Sequence, residues 1–337
     1  MFQRILIPLD GSTRAERAIP IAARLARASS GAVILVRVVS KSSGFWPSVA
    51  QRSALAQQVP AADFAEAERY LADIASASDL EGIPIERVIR LGPTVSTILA
   101  VADTARADLI VLCSHGYTSL TRRMMGSAAE NLSREATIPV LVLREDGPVP
   151  GSEDARPLRA LVPLDGTARA KGALEPAAYL TAALAGSRPG ILHLVRVVQP
   201  VTAQSEVGGM ERASARARRY LSATAEHIRE GFVAPAVSKL NLAVTWSVVV
   251  DSYVAEALSS RAEPASAKAE PDVFDGCDVI ALVTHGREGL RRWVMGNVTA
   301  QVLRDSKLPL LIVPSQWRGD MGEEEQEVES ENRAVFA

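Results

Sequence analysis

This chain is written twice. RILIPLDGSTRAERA at 4–18 is matched by RALVPLDGTARAKGA at 159–173, VRVV at 36–39 by VRVV at 195–198, and SHG at 114–116 by THG at 284–286. RRMMG at 122–126 returns as RRWVMG at 291–296, and IPVLVLR at 138–144 as LPLLIVP at 308–314. Five co-linear matches make chance a poor explanation, and they set the plan of the chain before any single motif is weighed. The offset is 155 residues at Asp10/Asp165, 159 at Val38/Val197 and 170 at Gly116/Gly286, so two connections are longer in the second copy. The later growth falls in SSRAEPASAKAEPDVFDG, whose Ala, Ser, Glu and Pro suit a surface insertion. GPVPGSEDARP at 147–157, rich in Pro and Gly, reads as a linker. The expected division is a domain at 1–146, the linker at 147–157, a second domain at 158–315 and a tail at 316–337.

Each copy alternates short β-branched runs with longer Ala-rich stretches. In the first copy the strand candidates are 4–9, 32–39, 84–90, 108–113 and 138–143, and the helix candidates are 13–28, 61–79, 94–106 and 127–136. The strands are almost continuously apolar, as strands covered on both faces are. Ile19, Ala22, Ala23 and Ala26 fall on one helical stripe. This order predicts an α/β fold: two tandem doubly wound domains, each a parallel sheet with helices on both faces. Aromatics are only 4% of the chain, so Ala, Val, Leu and Ile must build the core. Such sheets take ligands outside the carboxyl ends of their strands, and those are the segments that repeat.

The net charge of −2 is unevenly spread. Residues 320–337 hold seven acids and one base, which leaves 32 acids against 36 bases in the rest. That weak positive lean is no nucleic-acid signature, which needs basic residues clustered on one face. The acidic end reads as a solvated, disordered tail. No apolar run approaches the ~18 residues of a bilayer span. The start, MFQRILIPLDG, lacks a secretory apolar region and cleavage site. Cys113 and Cys277 are too few for a disulfide framework. The expected address is the reducing cytoplasm.

The first strand of each copy ends in Pro-Leu-Asp-Gly: Pro8, Leu9, Asp10 and Gly11, then Pro163, Leu164, Asp165 and Gly166. Asp10 and Asp165 can accept hydrogen bonds from a ligand, or cap the next helix; Ser12 and Thr167 are equally suited to that cap. DLIVLCSHG is followed by a loop with Arg122 and Arg123 and then by Gly126-Ser127 opening a helix. A helix start offers unpaired N–H groups and a positive dipole end to an anion, while a turn glycine and an ordinary Ser cap account for the same letters. His115 and His285 have no second ligand at metal spacing, and His193 and His227 stand alone on a strand and a helix.

The Pro-x-Asp-Gly opening, the Ser-His-Gly turn, Gly-x9-Gly-Ser and the closing Pro-Val-Leu-Val strand resemble a universal stress protein domain, over nearly all of 1–145 and 157–315. The resemblance implies a five-stranded parallel, Rossmann-like sheet in each copy, of the adenine-nucleotide α/β type. It also implies ATP binding through Gly-x2-Gly-x9-Gly-Ser/Thr, with the first-strand Asp and a second-strand Val around the adenine. Members without the glycines bind no nucleotide. Carried over residue by residue, the nucleotide-binding candidates are Pro8, Leu9, Asp10, Val38, Cys113, His115, Gly116, Gly126, Ser127 and Ala128. Cys113 stands where the leading motif glycine belongs. The weaker second-copy candidates are Pro163, Leu164, Asp165, Val197, Gly286, Gly296 and Asn297, with Val283 at the leading position. Asn297 keeps capping ability but loses the motif's hydroxyl.

The chain carries no Gly-x4-Gly-Lys-Ser/Thr, Gly-x-Gly-x2-Gly or Gly-x-Ser-x-Gly, and no catalytic residue is assignable. The expectation is a cytoplasmic stress-response protein, not an enzyme beyond slow ATP hydrolysis, that binds ATP or another adenine nucleotide and acts as a nucleotide-linked regulator. Mg²⁺ is the default companion of the phosphates. The alternative is a nucleotide-free interaction module that works through its surfaces. Neither nucleic acid nor membrane is an expected partner. The apolar last strands, which the family places at the sheet edge, are expected to pair and make an intramolecular pseudo-dimer; two chains can associate further as a homodimer.

Overall fold

The computed structural model describes residues 1–40, 61–114, 126–151, 157–200, 208–232, 237–262, 276–284 and 296–317. In the first copy the elements are β1 (Arg4–Leu9), α1 (Thr13–Glu16), α2 (Ala18–Ser29), β2 (Ala32–Val39), α3 (Ala61–Ala75), β3 (Ile85–Leu91), α4 (Thr94–Thr104), β4 (Leu109–Ser114), α5 (Ser127–Glu135) and β5 (Val140–Arg144). In the second they are β6 (Arg159–Pro163), α6 (Leu174–Ala185), β7 (Gly190–Val198), α7 (Gly209–Glu230), β8 (Leu242–Val250), α8 (Val254–Ala262), β9 (Val279–Thr284), α9 (Asn297–Asp305) and β10 (Leu310–Pro314).

The ten strands form one sheet in the order β3-β2-β1-β4-β5-β10-β9-β6-β7-β8. Neighbours within a copy are parallel. The copies meet where β5 and β10 pair antiparallel, with Val140 opposite Ile312, Leu141 opposite Leu311 and Val142 opposite Leu310. One consequence follows from that antiparallel step. The carboxyl ends of the first copy's strands point to one side of the sheet, and those of the second copy to the other. In each copy the chain winds outward in opposite directions from a central pair, β1/β4 or β6/β9, and the crevice of a doubly wound sheet lies at that point.

Strand alternation sends Ile5, Ile7 and Leu9 into one core layer and Leu6 into the other. The first layer packs under α2, α3, α6 and α7, the second under α4, α5, α8 and α9, and both run through the two copies. Arg24 of α2 ties the first layer across the boundary: its Nη1 donates to Pro150 O of the linker at 2.7 Å, and its Nη2 to Leu184 O at the end of α6.

The expected first helix, 13–28, is interrupted. Pro20 has no N–H to offer the carbonyl of Glu16, so the first turn closes at Glu16 and α2 restarts at Ala18, with Pro20 inside its opening turn. Pro176 does the same at the start of α6, behind a 3₁₀ turn at Arg169–Ala173. The expected 61–79 helix stops at Ala75 and is followed by a separate 3₁₀ turn at Ser78–Leu80. Trp317, assigned to the tail from sequence, packs on the first core layer, and its N–H donates to Pro314 O at 2.9 Å. Residues 318–337 of the tail, most of the second-copy insertion, and the His115–Gly116 and His285–Gly286 turns lie outside the described residues. Among the described residues no helix is long and apolar enough to cross a membrane.

Candidate functional site

A cavity of about 640 Å³ opens at the carboxyl ends of β1, β2 and β4. Of the first-copy candidates it gathers Pro8, Leu9, Asp10, Val38, Cys113, Gly126, Ser127 and Ala128; the other two, His115 and Gly116, lie outside the described residues. The strand ends deliver the first five. The start of α5 delivers the last three.

Asp10 does not cap the helix. Its Oδ1 accepts from the N–H of Ser12 at 3.0 Å and from the Ser12 hydroxyl, while Ser12 Oγ accepts from Ala15 N at 3.2 Å and is the cap. Oδ2 of Asp10 accepts from Arg14 at 3.0 Å. Burial pushes the Asp10 pKa up, but the Ser12 hydrogen bonds and the Arg14 and Arg37 charges outweigh it, and the net shift is downward. Asp10 is therefore an ionised acceptor at the cavity mouth. Gly11 follows it at φ +85°, a conformation open to glycine and strained for a side chain.

At the other end, Gly126 is the N-cap residue and Ser127 the first helical one, so Ser127 is not the cap. The Gly126 carbonyl accepts from Glu130 N at 3.1 Å, the first bond of the helix. The N–H groups of Ser127, Ala128 and Ala129 thus have no partner within α5, and the helix start faces the cavity. Gly126 has φ −56°, which any residue adopts; what glycine supplies there is bare backbone. Cys113 lies between these two ends, on the cavity wall. Burial pushes its thiol up to about 11, so it is protonated at neutral pH and no nucleophile.

Arg37 and Tyr70 escaped the sequence reading, although both repeat. The Arg37 guanidinium sits 6.0 Å from the Tyr70 ring centroid and its Nη1 donates to Leu9 O at 3.4 Å. The Tyr70 hydroxyl donates to Glu16 at 2.9 Å, and burial together with that carboxylate raises its pKa. Arg37 is the Arg of VRVV, and Tyr70 belongs to an Arg-Tyr-Leu that recurs at 219–221. Those repeats were the available signal. Asp63 and Glu66 of α3 also line the mouth, so three acids face Arg14 and Arg37. A polyanion would find its positive field at the start of α5.

In the second copy, Pro163 ends β6, Leu164 is buried, Asp165 is exposed and Val197 is half-buried on β7. Asp165 repeats the Asp10 turn: its Oδ1 accepts from Thr167 N at 2.8 Å and Thr167 Oγ1 at 2.7 Å, and Thr167 caps Ala170 N at 3.2 Å. Arg196 stacks on Tyr220 at 5.3 Å and passes so close over Gly166 that a Cβ there would meet its Nη1 at 2.8 Å. Lys171 replaces Glu16 and sits 5.8 Å from the same ring centroid. Gly296 is the N-cap of α9 and Asn297 the first helical residue, so Asn297 does not cap it. Val283, in the place of Cys113, is 5% exposed, and Thr299, in the place of Ala129, donates to its carbonyl at 3.2 Å. Gly286 lies outside the described residues. Among those described, no cluster of three or more His, Cys, Asp or Glu side chains could hold a metal ion.

The sequence model described as "Universal stress protein family" matches residues 1–144 and 158–314. A universal stress protein of Thermus aquaticus is 30% identical over 145 residues, 43% of this chain and 100% of that protein. One from Methanocaldococcus jannaschii is 27% identical over 152 residues, 43% of this chain and 84% of the relative. The crystal structure of a universal stress protein from Archaeoglobus fulgidus superposes with a TM-score of 0.61 at 16% identity, covering 94% of this chain and 99% of that one. That last likeness is one of fold.

Proposed function

The chain belongs to the universal stress protein family, with both halves of its repeat matched, and from that premise we propose that its first copy binds ATP and that the protein is a nucleotide-linked regulator in the cytoplasmic stress response. One observation carries the reading: the cavity collects every described first-copy residue that the family motif nominates. In this reading Asp10 and the main chain around Val38 would meet the adenine, and the N–H groups opening α5, which have no partner within that helix, would meet the phosphates. Mg²⁺ would arrive on the phosphates, since the described residues offer it no cluster of their own.

The proposed output is a change of shape or partner rather than turnover. The paired last strands make the chain an intramolecular pseudo-dimer in this reading. A nucleotide-free interaction module remains the second reading, and Cys113 at the leading glycine position favours it. Acid extraction of the purified full chain, followed by assay for adenine nucleotide and calorimetric titration with Mg-ATP, separates them. Bound or titratable ATP supports the first reading, and an empty protein that takes up none overturns it.

A further inference from the structure

Among the described residues the sheet ends at β3 on one side and at β8 on the other, and the two edges are built differently. β3, IERVIRL, carries Glu86, Arg87 and Arg90, charges of the kind that stop an edge strand from pairing with another chain. β8, LAVTWSVVV, carries none in nine residues, and it exposes Trp246 at 36% and Val250 at 50%. Gly190 N donates to Asn241 O and Asp251 N donates to Val198 O. The alternation of a parallel ladder then turns the odd-numbered residues of β8 toward β7 and the main-chain groups of the even-numbered ones toward the open edge.

We propose that β8 pairs antiparallel with the same strand of a second copy of this chain, about a two-fold axis through Trp246. An isologous interface must be self-complementary, residue i meeting j while j meets i. β8 has that symmetry in its sequence. Trp246 is its middle residue, and outward from it Thr245 matches Ser247, Val244 matches Val248, and the ends are Leu242 and Val250. The axis also pairs even positions with even ones, so the main-chain groups that face the edge meet one another.

Charge complements the register. α7 packs on the same face as Val244, within one core layer. Its first half carries four arginines and Glu211, while its last five residues hold Glu226, Arg229 and Glu230. The two-fold axis sets the copies of α7 antiparallel, basic half toward the acidic end. Arg229 Nη2 donates to Val244 O at 2.7 Å, one of the carbonyls that face the edge. Pairing sets a partner N–H in competition with Arg229 for that carbonyl, which gives the interface a lever independent of the nucleotide site.

Sedimentation of the full chain over a concentration series tests this. Wild type should sediment as two chains at the upper end. Trp246→Lys should raise the dimer dissociation constant by about tenfold or more, as loss of a central aromatic anchor does. Arg229→Ala should lower it. A second readout does not depend on how well the Lys variant folds. Trp246→Cys should form an interchain disulfide on mild oxidation, because a hydrogen-bonded antiparallel pair sets Cα atoms ~5.5 Å apart, within disulfide range. Val244→Cys, whose opposite number is Val248, should not, and wild type with Cys113 and Cys277 is the control. A single chain at every concentration overturns the proposal. So does a dimer that Trp246→Lys leaves intact and Trp246→Cys fails to cross-link.

Discussion

Cys113 is the departure from the family motif that most directly tests the proposed nucleotide site. Among the described residues the non-glycine ones with positive φ are Phe2, Ser30 and Arg106, so Cys113 carries no left-handed strain, and replacing it relieves crowding alone. Cys113→Gly should tighten ATP binding by about fivefold, ~1 kcal/mol, and lower stability, because glycine in a strand loses packing and gains unfolded-state entropy. Titration calorimetry reads the first effect; unchanged or weaker binding would mean that Cys113 does not limit the site. His193 has a different consequence. Its Nδ1 lies 2.8 Å from Thr245 Oγ1 and its Nε2 2.9 Å from Ser247 Oγ. Burial, with Arg261 and Arg159 adding to it, holds its pKa down to about 3. Below about pH 6.5 the unfolded chain binds a proton that the folded chain refuses, so stability falls as pH drops from there toward 3. His193→Gln should lose about 2 kcal/mol less than wild type between pH 7 and pH 5, read from denaturant midpoints. Equal acid sensitivity would contradict this. At this scale the letters PLDG, which recur at the ends of β1 and β6, and GS, which opens α5 and has Gly-Asn as its counterpart, fall on the first-copy cavity. They could not apportion the work: Asp10 and Ser12 were equally good caps on paper, and only the turn geometry gives the cap to Ser12.

Elements were legible where apolar runs are unbroken. β1 and β2 lie where the runs put them, and β3 and β4 begin one residue later than expected. The helices were less legible, since Ala-rich periodicity runs straight through Pro20 while the hydrogen-bond pattern does not. Arg144 shows what periodicity cannot reveal. It ends β5 at 7% exposure, an arginine inside an apolar junction. Its Nη1 donates to Ser114 Oγ at 3.0 Å, on the cavity wall, and its Nη2 to Leu303 O in α9. The repeat places Pro314 at the matching position, so this bridge belongs to the first copy alone. Arg144→Ala should cost about 2–3 kcal/mol by stranding the Leu303 carbonyl and emptying packed space, measured as a lower denaturant midpoint for the full chain. A loss below about 0.5 kcal/mol would show the bridge to be incidental.

On the scale of the whole molecule, the apolar last strands predict a contact between the copies but not its antiparallel direction. Strand direction depends on where the 147–157 linker travels, and composition does not encode that path. The reversal matters because it sends the two crevices to opposite sides of the sheet, so that each must stand on its own residues. Their residues differ where depth and charge are set. The second copy has Val283 and Thr299 in place of Cys113 and Ala129, and Lys171 in place of Glu16. The Thr299–Val283 bond also ties the opening of α9 onto the end of β9, where the first copy has open cavity. What the copies share, the Asp-turn and the Arg–Tyr stack, is the rim rather than the floor. ATP titrated into the full chain should therefore bind with a stoichiometry near one. Asp10→Ala should weaken that binding clearly, while Asp165→Ala should leave it unchanged. Two equivalent sites per chain, or a larger effect at Asp165, would show that the rim alone suffices to hold a nucleotide and that the floor of the second copy is no obstacle.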